Sequence, residues 1–423
     1  MIESPSAPSG LIDEIRSKFA HVDTCPVEGP RIFFENAGGA LTLNSVVQTT
    51  AHYAAIPDNQ GRDNPMSKEL QRVINKAKQD ARVFLNVQDG DVFVGESGTE
   101  LLFRLIRNAV IAAPEGGNVV GTSLEHPASR SAAQHWAEQT GRPYLNVPHN
   151  NETGSVDAAA YEKVVTPETR VATIIHTSPV SGMGVDVAAI AKSIRAVSPD
   201  CLIIVDGIQH AAHGGLDLGS YQIDGYAISA YKMFSLHGYG LAWAGPRLTD
   251  LPHENLKGGP VKKWELGTRD TGAYATFSDV IAYFEWLGEQ FTDETDQRAK
   301  IEAAGKAIHA HEKDLTDTML HGTGNLPGLA DLKRVTVIGG IDNPLREGLV
   351  AITLDGMESG ELVEQLRQNG IRVHIRKADH YSGNILDPLG LPSCVRVSMC
   401  HYNSKKEVGE FLAVMKQICE ASS

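Results

Sequence analysis

Two apolar runs that end on charged residues constrain the fold of this chain more than any other feature. Leu202-Ile203-Ile204-Val205 runs into Asp206, and Tyr226-Ala227-Ile228-Ser229-Ala230-Tyr231 runs into Lys232. Short apolar runs without polar alternation predict strands covered on both faces, the pattern of a mostly parallel sheet between helical layers. In open α/β sheets, ligands bind in the crevice beyond the carboxyl ends of the strands. Asp206 and Lys232 are therefore expected where a ligand would lie.

The surrounding pattern fits such a sheet. Strand-like runs at Val92-Phe93-Val94, Asn118-Val119-Val120, Arg170 to Ile175 and Cys201 to Val205 alternate with helical stretches around Leu102 to Val110, Ser129 to Thr140 and Val187 to Val197. That βαβ succession predicts parallel pairing with right-handed crossovers. After Pro260 the pattern changes. Long helices are expected over Phe277–Phe291 and Asp296–Asp317, then strands at Leu332–Thr336, Leu349–Thr353, Ile371–Ile375 and Val395–Met399, with helices over Ser359–Gln368 and Lys405–Cys419. This second part reads as a smaller α+β domain.

Composition excludes several classes. A length of 423 residues allows two or three domains on a prior of about 150 residues each. The formal net charge of −14 disfavours nucleic acid and anionic membranes as partners. No apolar stretch approaches the ~18 residues of a membrane helix, and the Pro/Ser-rich start, Met1 to Gly10, has no signal-peptide pattern. Cys25, Cys201, Cys394, Cys400 and Cys419 show no CxxC spacing, so neither a metal site nor a disulfide framework is expected. A cytoplasmic protein is the resulting expectation.

Several segments carry chemistry-bearing residues. Ser97-Gly98-Thr99-Glu100 precedes a helix; it has the form of a capping box and equally of a phosphate cradle at a helix N-terminus. Glu125-His126-Pro127 follows another strand, where His126 is either a satisfied imidazole or a flat partner for a ring. Asp206 is either a helix cap or the acid that keeps a pyridine nitrogen protonated. Lys232, among bulky apolar neighbours, has the environment that lowers an amine pKa and frees it for imine chemistry. Together an amine and an acid at one sheet edge suit pyridoxal 5'-phosphate, which needs a lysine Schiff base and a partner for its ring nitrogen. In Val395-Arg396-Val397-Ser398-Met399, alternation puts Arg396 on the polar face, facing solvent or a carboxylate. His374, Arg376, Lys377 and His380 form a basic loop: a solvated surface, or a pocket wall that would favour a substrate with a second anionic group.

In combination these residues resemble the class V aminotransferase superfamily, which includes cysteine desulfurases, kynureninases and isopenicillin-N epimerases. The resemblance runs from about Phe33 to the C-terminal helix. It rests on Glu125-His126, Asp206-Gly207-x-Gln209, Ser229-x-x-Lys232, and Arg396 followed by Tyr402-Asn403. It implies the α/β fold of type I pyridoxal-phosphate enzymes: a large domain over residues 31–275 on a mostly parallel seven-stranded sheet, and a small α+β domain from 1–30 and 276–423. Lys232 would form the internal aldimine, Asp206 would pair with the ring nitrogen, Gln209 would contact the phenolic oxygen and His126 would stack on the ring. Ser97, Gly98, Thr99, Ser229 and Tyr231 would hold the phosphate, with Thr268 reaching the partner's phosphate in a homodimer with shared active sites. Arg396 would bind the substrate carboxylate, and Asn36 lies on the loop expected to line the substrate pocket.

The sequence also departs from relatives. The loop Arg376-Lys377-Ala378-Asp379-His380-Tyr381-Ser382-Gly383 lacks the cysteine that desulfurases carry there. Tyr231 precedes the lysine where desulfurases have His, and Pro179 stands where many relatives place Asn. Amino transfer or β-elimination (a C–S lyase type) on a small amino acid is the expected reaction. An epimerase, or a cofactor-binding sensor without catalysis, is the alternative.

Overall fold

The computed structural model describes residues 2–3 and 8–421; much of the start expected to lack a signal peptide lies outside the described residues. The main sheet has seven strands, β1 (Asp91–Gly95), β2 (Asn118–Thr122), β3 (Tyr144–Val147), β4 (Thr169–Ile175), β5 (Leu202–Asp206), β6 (Gly225–Ser229) and β7 (Gly240–Ala244). Their order across the sheet is β1-β7-β6-β5-β4-β2-β3. Strands β2 to β6 pair in parallel with their neighbours, while β7 runs antiparallel to both β6 and β1.

Antiparallel β7 was not anticipated, and its cause is local. The link from β6 to β7 holds no crossover helix, only a single 3₁₀ turn over Ala230–Lys232, and so short a link cannot carry the chain back for a parallel strand. Lys232 therefore sits in a tight return at the sheet's carboxyl edge. Two residues on, Phe234 has φ 64°, an uncommon conformation for a bulky side chain. Its carbonyl accepts the Leu43 N–H at 3.0 Å, and its ring packs edge-on to Phe19 at 5.5 Å.

Apolar runs such as β5 have a simple explanation in the packing. Ile203 and Val205 belong to one core, Leu202 and Ile204 to another on the opposite face. Helices α1 (Pro65–Leu85), α2 (Gly98–Ala112), α3 (Pro127–Gln139) and α4 (Val187–Val197) accompany the sheet, followed by α5 (Thr271–Gly288) and α6 (Gln297–His321). Helix α1 was missed in the sequence, although Asn64 caps it by accepting the Ser67 N–H at 2.8 Å and Leu70, Ile74, Ala77, Ala81 and Phe84 form one buried stripe.

A second sheet contains β8 (Val335–Val337), β9 (Leu349–Leu354), β10 (His374–Lys377) and β11 (Ser393–Ser398) in the order β8-β9-β11-β10, antiparallel throughout. Helices α7 (Ser359–Gln368) and α8 (Lys405–Ala421) complete this region. The single strand expected at Ile371–Ile375 is divided: Ile371–Arg372 pairs with Ile32–Phe33, and the chain then changes partner to join β11. Val395, Val397 and Met399 enter the second core with Phe34, Val350 and Phe411. Arg396 and Ser398 are thereby turned to the other face, towards the large sheet.

Helices α5 and α6 touch most closely at Gly288, where an added Cβ would stand 2.0 Å from the Lys300 carbonyl oxygen. We expect Gly288→Ala to separate these helices and cost about 1–3 kcal/mol, read as a lower urea midpoint. An unchanged midpoint would show that the contact yields freely.

Candidate active site

The carboxyl ends of β1, β4, β5 and β6 surround a recess lined by Thr99, His126, Ile175, Thr177, Pro179, Asp206, Ile208, Gln209, Ser229, Tyr231 and Lys232. Asp206 and Lys232 thus face one space. Asp206 is buried, and its Oδ1 accepts the Ile208 N–H at 3.0 Å. The Lys232 amine donates to Gln209 Oε1 at 3.4 Å. Among the described residues neither group makes an ion pair.

Electrostatics follow from this enclosure. Burial pushes the Asp206 carboxyl up to about 6, against the opposing pull of the Ile208 N–H and the Lys232 charge. Burial, reinforced by the Arg396 and Arg376 charges, brings the Lys232 amine down to about 7. Near neutral pH a good part of the amine is unprotonated and nucleophilic. His126 is depressed to about 3, first by burial and then by Lys232, Arg376 and Arg130. Its Nδ1 accepts the Ala128 N–H at 3.2 Å, capping α3 and leaving a neutral ring at the recess.

The opposite rim is built by the start of α2. Ser97 caps this helix, its Oγ accepting the Glu100 N–H at 3.1 Å. The expected capping box is only half formed, because Glu100 reaches back to the Glu96 N–H at 3.2 Å rather than to that of Ser97. At Gly98 an added Cβ would lie 2.3 Å from Ser229 Oγ. Backbone and hydroxyl thus approach as closely as only glycine permits, beside a helix N-terminus that favours anions. A pyridine acid partner, a lysine amine, a flat neutral imidazole and an anion cradle fit the groups of pyridoxal phosphate.

Four expected residues line neither cavity; one, Gly98, stands behind Ser229 Oγ at the helix start. Ser97 caps α2 but is not among the residues lining the recess. Thr268 is exposed and lines neither this recess nor the larger one beside it; the adjacent Arg269 pairs with Glu96 at 3.6 Å. Asn36 is buried as a brace: its Nδ2 donates to the Ser398 carbonyl at 2.9 Å and to Asn403 Oδ1 at 3.2 Å, and its Oδ1 accepts from the Tyr402 hydroxyl. With both ends of its amide engaged, Asn36 supports the pocket loop and does not face the pocket.

A wider cavity opens beside the recess, sharing His126, Pro179, Tyr231 and Lys232 with it, and adding Glu35, Ala37, Gly38, His374, Ile375, Arg376, Lys377, Asp379, Tyr381 and Arg396. Most of the basic loop therefore faces a pocket, although His380 does not line it. Arg396 is 2 % exposed, and its Nη1 donates to the Pro179 carbonyl at 2.9 Å. No cysteine lines either cavity; Cys394, behind Arg396, is buried and its thiol is pushed up to about 12.

Sequence reasoning missed the polar wall behind the recess. Gln209 Nε2 lies 3.2 Å from His213 Nε2, and His213 Nδ1 lies 2.8 Å from Glu312 Oε2. Glu347 accepts from Thr177 Oγ1 and pairs with His210 Nδ1, each at 2.7 Å. The His210 ring stacks on His176 with centroids 3.5 Å apart. His210 and His213 stood in the sequence beside Gln209; their carboxylate partners lie 137 and 99 residues away and gave no local signal.

The sheet topology and the amine-and-carboxylate recess at its edge define a fold-type-I architecture. A profile of the family Aminotransferase class-V matches residues 32–411, and the chain belongs to that family of pyridoxal-phosphate-dependent enzymes, transaminases and lyases. It is 26% identical to the aminotransferase-like protein FGM3 of Gibberella zeae, over 98% of this chain and 100% of that protein. It is 24% identical to the cysteine desulfurase-like protein ustD of Aspergillus flavus, over 96% and 90% of the two chains. Among solved structures, a cysteine desulfurase from Thermococcus onnurineus superposes with a TM-score of 0.82 at 19% identity, covering 99% of each chain.

The Lys232 shift leads to a pH prediction. In the cofactor-free protein, the rate at which the amine captures an aldehyde should rise with pH and level off above about 7, as measured by stopped-flow absorbance. Arg396→Gln removes a nearby positive charge, which favours the protonated amine, so the midpoint should move to higher pH by about one unit. A midpoint near 10 in the unaltered protein would contradict the enclosure described.

Proposed function

We propose that this chain holds pyridoxal 5'-phosphate on Lys232 and acts on the α-amino group of a small amino acid, by amino transfer or β-elimination. One observation carries the reading: an amine and a carboxylate face a single recess without ion pairs, opposite an anion cradle at a helix start. Groups of this kind are costly to enclose unless a ligand completes them.

Bound there, the cofactor would act as an electron sink for the substrate Cα. The protein's own residues supply the rest. Asp206 holds a proton at the ring nitrogen, and Gln209 is placed for the phenolic oxygen. His126 offers its neutral face to the ring. Gly98, Thr99, Ser229 and Tyr231 hold the phosphate, with Ser97 fixing the helix start that faces it. Lys232, once released from the cofactor, takes or returns the Cα proton; its lowered pKa suits it for both directions near neutral pH. Arg396 receives the substrate carboxylate. Because no thiol lines either cavity, a group lost from Cβ departs to solvent and is not passed to a cysteine of this chain.

The proposed organisation is a cofactor-binding part over residues 31–275 and a smaller part from 1–30 with 276–423. The proposed assembly is a homodimer in which Thr268 serves the partner's phosphate. Support comes from the exposure of Thr268 and from two large apolar side chains on the same connection, Leu256 at 66% and Val261 at 73% exposed. No helix among the described residues is long and apolar enough to cross a membrane. Cys25, Cys201, Cys394 and Cys400 form no disulfide among the described residues, which supports a reducing compartment, and the cytoplasm is the proposed location.

Borohydride reduction of the cofactor-loaded protein should attach the cofactor covalently to the peptide carrying Lys232, and Lys232→Ala should abolish that attachment. Attachment retained in this variant would refute the proposed site. With a panel of amino acids, pyridoxamine phosphate and keto acid mark amino transfer, pyruvate and ammonia mark elimination, and solvent deuterium at Cα without keto acid marks epimerisation. For the assembly, sedimentation should give twice the chain mass. Thr268→Ala should weaken cofactor retention by roughly tenfold, the worth of about one charge-assisted hydrogen bond, without changing that mass.

A further inference from the structure

Two guanidinium groups face the wider cavity, and neither has a counter-ion among the described residues. Arg396 is almost wholly buried; its Nη1 donates to the Pro179 carbonyl, and its Nε is buried with no partner. Arg376 is half-buried on β10, and its Nε donates to Ser382 Oγ at 2.8 Å. Ser382 is itself fully buried. This anchor occupies the stem side of the guanidinium, which lies over the Tyr381 ring at 5.7 Å, and the terminal nitrogens make no hydrogen bond or ion pair among the described residues.

The acids of the cavity wall act on these guanidinium groups only at a distance, Asp379 on Arg376 and Glu35 on Arg396, and form no ion pair with them. Glu35 Oε1 lies 3.3 Å from His374 Nδ1, and Asp379 Oδ1 accepts the Tyr381 N–H at 2.9 Å. Lys232 and Lys377 line the same cavity, so cations outnumber the acids there. Enclosed charges in folded proteins are ordinarily paired. A substrate α-carboxylate on Arg396 supplies one counter-charge and leaves Arg376 unmatched.

We propose that Arg376 forms a subsite for a second anionic group on the substrate, which makes the substrate an amino acid with a side-chain carboxylate or sulfur oxyanion. The planar fork of a guanidinium suits either group by two parallel hydrogen bonds. Its reach is set by the Ser382 anchor, and its position beside Lys232 and Arg396 puts the side-chain anion at the mouth of the recess. The inference rests on the proposed function, since it takes the reacting amino acid to occupy this cavity.

The test is a titration of the cofactor-loaded protein with L-aspartate, L-cysteine sulfinate and the neutral isostere L-asparagine, following the cofactor absorbance as a binding signal. The two acidic amino acids should bind about tenfold more tightly than asparagine, the worth of one charge-assisted hydrogen-bonded contact. Arg376→Gln should remove that difference while leaving the Kd for asparagine unchanged, and Arg376→Lys should keep part of it. Equal Kd values for aspartate and asparagine in the unaltered protein would overturn the subsite, as would an equal loss for both in Arg376→Gln. Calorimetry with succinate, which has no amine, separates the two readings on the cofactor-free protein. Succinate binding lost in Arg376→Gln upholds the anion subsite even where Lys232 takes up no cofactor. Succinate binding unchanged by Arg376→Gln defeats it.

Discussion

The structure is organised around an amine and a carboxylate enclosed at one sheet edge without ion pairs of their own. Asp206 ends a strand covered on both faces, so its carboxylate has no route to bulk water except through the recess. Lys232 lies three residues beyond the neighbouring strand, in a 3₁₀ return too short for a crossover helix. Each group shifts towards its neutral form, Asp206 upward and Lys232 downward, which is the response of charges that have lost water and found no ion pair. Shifts of this sign in a lined recess are characteristic of functional groups.

Much of the remaining architecture holds that arrangement rigid. Behind the recess, His213 bridges Glu312 on α6 and Gln209, its Nδ1 2.8 Å from Glu312 Oε2 and its Nε2 3.2 Å from Gln209 Nε2. The Gln209 carbonyl oxygen is thereby turned to the lysine. Burial raises the Glu312 carboxyl, and Glu312 in turn raises His213. Glu347, a neighbour of both histidines, is held down chiefly by His210 against the cost of its own burial. Hydrogen-bonded networks of this kind favour one arrangement of the groups they join, although Glu312 Oε1 is buried without a partner.

The second core serves the site in another way. Strand alternation sends Val395, Val397 and Met399 into apolar packing and leaves Arg396 and Ser398 no choice of face. Ser398 Oγ accepts the Ala37 N–H at 2.9 Å, and the Ser398 carbonyl accepts from Asn36 at 2.9 Å. The loop that begins at Phe34 is therefore tied to the strand carrying Arg396. The wider cavity has walls from both sheets, with Tyr231 and Lys232 on one side and Arg376 and Arg396 on the other.

By itself, the sequence determined the features that depend on neighbours along the chain. Strand and helix periodicity located β5, β6, α4 and α7, and apolar runs placed Asp206 and Lys232 at strand ends, because burial on both faces leaves no alternation to read. Only the tertiary structure decided what depends on distant partners. The insertion of β7 between β6 and the distant β1 is set by sheet pairing, the split at Val373 by a change of strand partner, and the role of Asn36 by Ser398, Tyr402 and Asn403. The same holds for Glu312 and Glu347, whose histidine partners lie 99 and 137 residues away. The physical reason is that hydrophobic periodicity is a local property of the chain, whereas hydrogen bonds and charge pairs are made between whatever groups the packed sheets bring into contact.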